Sequence, residues 1–404
     1  MESFKKNSTS KMDIKHVLSN LLIVFALYLA YINYPSGFQR KIAEGPSFLS
    51  QQLSSYLDDN KVNSDPYAAS RYRPEEPLYA PLLAIQYGNK EKAEALLAPL
   101  VEKGNPEAMF WLAQITYGQS IYSGETAGKL LTKAAKLGNP YAAIKLDSRD
   151  IECTQYMGYH CSEEWGEKGR AALKKLASAG DPRAGYAIYL HDTMLKGGYS
   201  PTTTVDEESF NILAKAAVDG AKNNYHHPII TLLDIYQRNF GYPIWMRSNE
   251  SKRDSYLLSD KDREIIKDLY IFMANNNDSY ATNIYLYYEN SLLETDYIDH
   301  QILRMLPIWS NASGYSPVFA RKALNDREAL ILGAAWALVD DFNRNDHNLE
   351  FGRQMRKFNH IVTYEFNQKS LDDSELEKAH KISLKLRKSL TPMIYLDENN
   401  TGIF

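Results

Sequence analysis

Between residues 90 and 195 the apolar and polar positions follow a helical period, and the pattern returns. The stretches LAPLVEKGNPEAMFWL (97–112), LTKAAKLGNPYAAIKL (131–146) and KKLASAGDPRAGYAIYL (174–190) share one skeleton. Each places a small or apolar pair before Gly, then Asn or Asp, then Pro, then Ala and an apolar residue. Gly104, Gly138 and Gly180 serve as reference points, with Gly220 as a trial fourth. Eight residues before them stand Leu96, Leu130, Ala172 and Ile212, and seven before stand Leu97, Leu131, Leu173 and Leu213. Four before stand Leu100, Ala134, Leu176 and Ala216, and three before stand Val101, Ala135, Ala177 and Ala217. Those offsets lie on one face of a helix.

The glycines sit where such a helix ends and the backbone needs positive φ. Asn105, Asn139 and Asp181 are N-cap residues, and Pro106, Pro140 and Pro182 suit the first helical position. Ala108, Ala142 and Ala184 then permit close packing of a second helix, with Leu112, Leu146 and Ile188 one turn further. Each unit therefore predicts a helix, a tight Gly-Asn-Pro turn and an antiparallel partner. A single pair cannot bury its own apolar face, and stacked copies can.

The glycine spacings are 34, 42 and 40 residues, so the variation falls between units rather than within them. This arrangement resembles the Sel-1-like repeat family, whose core reads AA-x-x-G-[ND]-x-x-A with variable connections. The resemblance covers residues 90–195 well and 206–238 in part. It implies an all-α, right-handed α-solenoid of antiparallel, tetratricopeptide-like helix pairs, and a family role as adaptor or scaffold. After Gly220 the copy departs, with Asn224 where Ala is expected and Pro228 where Leu is, so a longer turn is expected there. LYIFMANNNDSYATNIYLYY is a weaker fifth copy, with Leu269, Met273 and Ala274 ahead of Asn277, then Ala281 and Tyr285.

Further along, REALILGAAWALVDDF (327–342) is apolar nearly all round and predicts a buried helix. SLDDSELEKAHKISLKLRKSL (370–390), acidic at its start and basic at its end, predicts a C-terminal capping helix. The segment 238–260 reads as a long insertion loop. The expected organisation is a tail over 1–16, a transmembrane anchor over 17–34 and a stalk or irregular lead-in over 35–74. Sel-1-like repeats follow over 75–240, then degenerate helical repeats and a cap over 241–404.

The anchor rests on VLSNLLIVFALYLAYINY, 18 residues without a charge, which is near the minimum for a spanning helix. Tyr28, Tyr31 and Tyr34 suit a membrane interface. Tyr28 also stands where a cleavable signal would need a small residue, although cleavage stays open as an alternative. Lys5, Lys6, Lys11 and Lys15 precede the span and Arg40 and Lys41 follow it. The positive-inside rule then places residues 1–16 in the cytoplasm and exports the remainder, in a bacterial inner membrane facing the periplasm.

Cys153 and Cys161, the chain's two cysteines, would form a disulfide in that compartment, with two free thiols as the alternative. The net charge of −4 argues against nucleic acid as a partner. No common catalytic motif occurs, and neither a cofactor nor a metal is implied; the adjacent His226 and His227 read as a turn or surface pair. Neighbouring carboxylates such as Asp340-Asp341 diverge on a helix and read as solvated faces. The 29 tyrosines favour a wet binding surface as much as a Tyr-rich core. Tyr186, Tyr189, Tyr287 and Tyr288 are the nominated partner contacts.

A non-enzymatic protein-binding solenoid follows, and the partner is expected to be another protein. Sel-1-like proteins with export signals resemble partners of lipase effectors, which implies an immunity protein that occludes a type VI secretion phospholipase. An envelope scaffold organising membrane or cell-wall partners is the alternative. The sequons at Asn249, Asn277 and Asn311 permit a eukaryotic secretory adaptor without favouring it.

Overall fold

The computed structural model describes residues 50–53, 61–117, 123–195, 207–239, 260–279, 295–309, 316–344 and 352–400. The chain divides into two compact units, Met1–Ile42 and Ala43–Phe404, and every described residue belongs to the second. Among the described residues the secondary structure is all helical, with an isolated bridge between Asp397 and Asn400.

Helices α1 (Tyr79–Gln86), α2 (Lys90–Glu102), α3 (Pro106–Thr116), α4 (Ser123–Lys136) and α5 (Pro140–Ile144) come first. A short α6 (Ile151–Tyr156) precedes α7 (Glu163–Ser178), α8 (Pro182–Leu195), α9 (Glu207–Lys222) and α10 (His227–Asn239). Then come α11 (Asp260–Asn275), α12 (Thr295–Trp309), α13 (Ser316–Lys322), α14 (Glu328–Asn343), α15 (Arg353–His360) and α16 (Asp373–Leu386). From α1 to α5, and again from α7 to α10, each helix packs against the next, and α5 packs against α7. This is a solenoid-like succession of helix pairs.

The turns close by one device. The backbone N–H groups of Asn105, Asn139 and Asp181 donate to the carbonyls of Leu100, Ala134 and Leu176, five residues back. The preceding glycines donate to Val101, Ala135 and Ala177. This pair of bonds is the Schellman closure, and it demands a left-handed residue. Gly104, Gly138 and Gly180 supply it at φ 83°, 95° and 93°. The Asn or Asp then opens the following helix with its side chain. Asn105 accepts from Ala108 N at 2.9 Å, Asn139 from Ala142 N at 2.8 Å, and Asp181 from Arg183 N at 2.9 Å. One residue thus seals two helix ends. Gly88 and Asn89 do the same between α1 and α2, where Lys90 replaces proline and hides the motif.

The fourth turn departs from the expected register. Gly220 lies inside α9, and the left-handed position falls four residues later at Asn224, φ 51°. A Cβ on Gly220 would collide with the Tyr225 carbonyl, so glycine is needed there for space, not for φ. In the fifth copy Asn277 takes φ 62°, and Asp278 N–H closes onto Met273. Asparagine replaces glycine in both turns because it tolerates this region best among residues with side chains. Ala281 and Tyr285 lie outside the described residues.

Leu97, Leu131, Leu173 and Leu213 are all fully enclosed, each worth about 1.5–3 kcal/mol of transfer free energy. Ala108, Ala142 and Ala184 are equally buried at the facing positions. Helix α14 is the buried helix expected over 327–342; Gly333 lets Phe319 and Phe358 approach its backbone. Two main apolar clusters form, one from Tyr72 to Ile188 and one from Leu53 to Ala379. Ile394 and Leu396, from the far end of the chain, belong to the first.

Both flanks of the helical stack are bonded to it. The lead-in is bonded to the body from residue 61: Asn63 N donates to Asn275 O at 2.7 Å, and Asn277 Nδ2 donates to the carbonyls of Asn63 and Asp65 at 2.8 Å each. Helix α16 carries the acidic start foreseen for it, with a capping box between Asp372 and Glu375. It does not end the structure, because residues 390–400 return across the body. No helix among the described residues is long and apolar enough to cross a membrane, and the span expected at 17–34 lies outside them.

Candidate interaction surface

Tyr186 and Tyr189, nominated as exposed contacts, are core residues. Tyr189 is fully enclosed, and Tyr186 pairs its hydroxyl with Thr231 Oγ1 at 2.7 Å. The helical period carries both rings inward, where they stack on each other with centroids 6.3 Å apart. Tyr287 and Tyr288 lie outside the described residues.

Cys153 and Cys161 are joined by a disulfide. The excursion it closes lies between Gly138 and Gly180, within the longest of the glycine spacings. It presents Tyr159 to solvent, with Ile151 exposed just before it, and the Tyr159 hydroxyl reaches Glu125.

His226 and His227 diverge. His226 is buried with Nδ1 2.8 Å from Asp278 Oδ2, and His227 stacks on Tyr186. Among the described residues no group of three or more His, Cys, Asp or Glu is placed to hold a metal ion.

A chain of charges links the segment after α5 to α7 and α8. Asp147, fully enclosed, takes a fork of bonds from Arg149 and a bond from His191 Nε2 at 2.9 Å. Arg170 grips Asp192 in the same forked way. Burial pushes the Asp147 carboxyl up, but Arg149 and His191 outweigh it and hold it below its ordinary value. Asp192 is likewise depressed, with Arg170 overcoming burial. Asp340, by contrast, is enclosed in α14, and burial prevails over Arg344, raising its carboxyl to about 6. Reading Asp340-Asp341 as a solvated face is therefore corrected, since Asp341 is also buried and accepts the N–H groups of Gln354 and Met355.

The most extended recognition geometry lies along the ends of the second helices. Residues 391–396 run non-helical through a furrow there, and residues 397–400 close in a turn at its end. Thr391 N and Met393 N donate to Pro307 and Ile308 at the end of α12, and Ile394 O accepts from Arg71 N. Gln86, the last residue of α1, brackets the same backbone with both ends of its amide. Its Nε2 donates to Met393 O at 2.9 Å and its Oε1 accepts from Tyr395 N at 3.1 Å. Met393, Ile394 and Leu396 are at most 1% exposed. Beyond them Arg71 donates through Nε and Nη2 to both oxygens of Glu398, at 3.3 and 2.7 Å. Asn399 Nδ2 bonds to Arg183 O and to the Tyr225 hydroxyl.

Burial opposes the Arg71 charge, yet the Glu398 carboxylate holds the guanidinium above its ordinary value. Glu107 approaches Arg71 to 3.8 Å, and burial raises its carboxyl against that attraction. A cavity of about 290 Å³ opens beside these groups, with Leu137 and Leu176 at its rim. No sequence motif marked this furrow. The available signal was the unbroken apolar run Met393-Ile394-Tyr395-Leu396 behind Pro392, which is long enough to read as a buried extended segment.

No protein-family model matches the chain, and no curated protein was found to match it.

Proposed function

We propose that the chain is a non-enzymatic protein-binding solenoid: a right-handed stack of Sel-1-like helix pairs tethered by residues 17–34 to a bacterial inner membrane, with residues 35–404 in the periplasm. Its partner in this reading is a phospholipase-type effector delivered by type VI secretion, which it neutralises by occlusion. The observation that carries the reading is the recurrence of one turn chemistry at Gly104, Gly138 and Gly180. Turns of this kind oblige helix pairs to stack, and stacked pairs offer a long surface to a folded partner. The Cys153–Cys161 bond is in keeping with an oxidising compartment. The assignment to immunity rests on association with exported Sel-1-like proteins, not on chemistry in the site.

The test uses the full chain, tagged at its N-terminus and recovered from membranes of the source cells, with bound proteins identified by mass. The reading expects one stoichiometric partner, toxic when exported alone and harmless when this chain is co-expressed. Several ordinary envelope proteins, together with a shape defect on deletion, would replace it with the scaffold reading.

A further inference from the structure

We infer that the furrow holding residues 391–399 is a peptide-docking site, that this segment is its resident ligand, and that the site accepts a partner's extended segment of the same chemistry: apolar, apolar, aromatic, apolar, acidic, acidic. The inference deepens the protein-binding reading above and rests on it.

Three features distinguish this contact from ordinary core packing. The first is the Gln86 amide, which satisfies a carbonyl and an N–H two residues apart on an extended strand. Such a clamp reads backbone and not sequence, so any extended chain of suitable side chains satisfies it, as in strand-addition modes of recognition. The second is a division of labour along the furrow. Enclosed sites take Met393, Ile394 and Leu396, while Arg71 reads the carboxylate of Glu398 through a fork that a lysine or an amide would not reproduce. The third is provenance. The walls come from far earlier in the chain: Ser70 and Arg71 before α1, Gln86 at its end, and Arg183 and Tyr225 at the turns around α8 and α10. The segment therefore lies in the furrow as a guest, tethered on its N-terminal side by the short turn Arg387–Ser389.

Tethering makes the local concentration of the resident segment high, so an outside segment competes only after the tether is cut or the segment is drawn away. This determines the experiment. A site-specific protease sequence is placed between Ser389 and Leu390 of the full chain, which folds before it is cut. The probe is a fluorescent synthetic peptide of residues 390–400, followed by anisotropy, while circular dichroism reports the helices.

The expected result is that cut protein keeps its helical signal and takes up the peptide saturably, whereas uncut protein does not. Arg71→Glu in the cut protein weakens uptake at least about tenfold, and a peptide carrying Glu398→Arg recovers most of that loss. Gln86→Leu weakens uptake of every peptide alike. Loss of the helical signal on cutting would overturn the inference, because the segment would then be part of the core and not a ligand. Failure of folded, cut protein to take up the probe would overturn it as well. So would equal uptake of a peptide in which lysines replace Asp397 and Glu398. None of these failures touches the recovery of a partner by the full chain, which can use another face.

Discussion

Arg71 and Glu398 stand 327 positions apart in sequence, yet the guanidinium of one holds both carboxylate oxygens of the other. Glu398 is almost wholly enclosed, with 3% of its side chain exposed, while Arg71 keeps 23%. The two ends of this contact are therefore unequal. Arg71→Ala leaves a buried carboxylate unpaired and is expected to cost about 3–5 kcal/mol. Glu398→Gln leaves a guanidinium that still reaches water, and about 1–2 kcal/mol is expected. Urea unfolding of both variants checks the order; a larger loss for Glu398→Gln would contradict it.

The turns allow a comparison of backbone strain without packing. A Cβ at Gly138 meets nothing within 4 Å, so Gly138→Ala tests φ 95° alone. A loss of about 1–2 kcal/mol is expected. Asn224→Gly, at φ 51°, should gain a few tenths to about 1 kcal/mol. Thermal unfolding that moved both variants in one direction would refute this account.

The repeat register was legible because glycine and its Asn-Pro sequel mark the turn chemically. Leu97, Leu131 and Leu173 were readable as core for the same reason, since their offsets from that mark are fixed. Legibility stopped where Asn224 and Asn277 took over the left-handed position, because asparagine elsewhere signals nothing so specific. Their place on the second helix of the best repeat does not tell that Tyr186 and Tyr189 are buried, since a tyrosine whose hydroxyl finds a partner such as Thr231 is content inside. The apolar run Met393–Leu396 marks a buried segment but not the furrow that holds it. Nothing local in LTPMIYLDENN says that its partners are Arg71 and Gln86, and contacts between distant positions leave no period to read.

Gly166 faces the Asp147 carboxylate so closely that an added methyl would occupy the same space. Gly166→Ala must therefore push Asp147 away from Arg149 and His191, and a loss of at least about 2 kcal/mol is expected. A loss below about 1 kcal/mol would remove the Asp147 network from the explanation.

Asp340 gives a pH signature of unusual sign. Its carboxyl ionises near 6 in the fold and near 3.8 when unfolded. Between those values the folded chain keeps a proton that the unfolded chain has released, so this group makes stability fall as pH rises. Asp340→Asn removes that term. The difference in unfolding free energy between variant and parent should move in the variant's favour from about pH 4 to about pH 7. A difference independent of pH would show that Arg344 compensates the charge fully.

Reduction of Cys153–Cys161 frees a short loop, since the two are eight residues apart. About 2–3 kcal/mol of stability should be lost, by the entropy of closing a ring of this size. The loss belongs to the region around Ile151–Tyr159, so hydrogen exchange should accelerate there first. Uniform acceleration over α1 to α10 would mean that the bond supports the whole array.

The contact between residues 71 and 398 also sets an order of events in time. Helix pairs joined by short turns find each other locally and fast, and a plain array of them can begin folding anywhere. This chain cannot finish that way. The lead-in, the first helix and the turn before α10 receive their last partner only when residues 393–399 arrive, across loops of 327, 307 and 174 residues respectively. During synthesis the body must wait with its furrow open until residues 393–399 have left the ribosome. The slowest phase of refolding should accordingly be the one that buries Ile394 and Leu396.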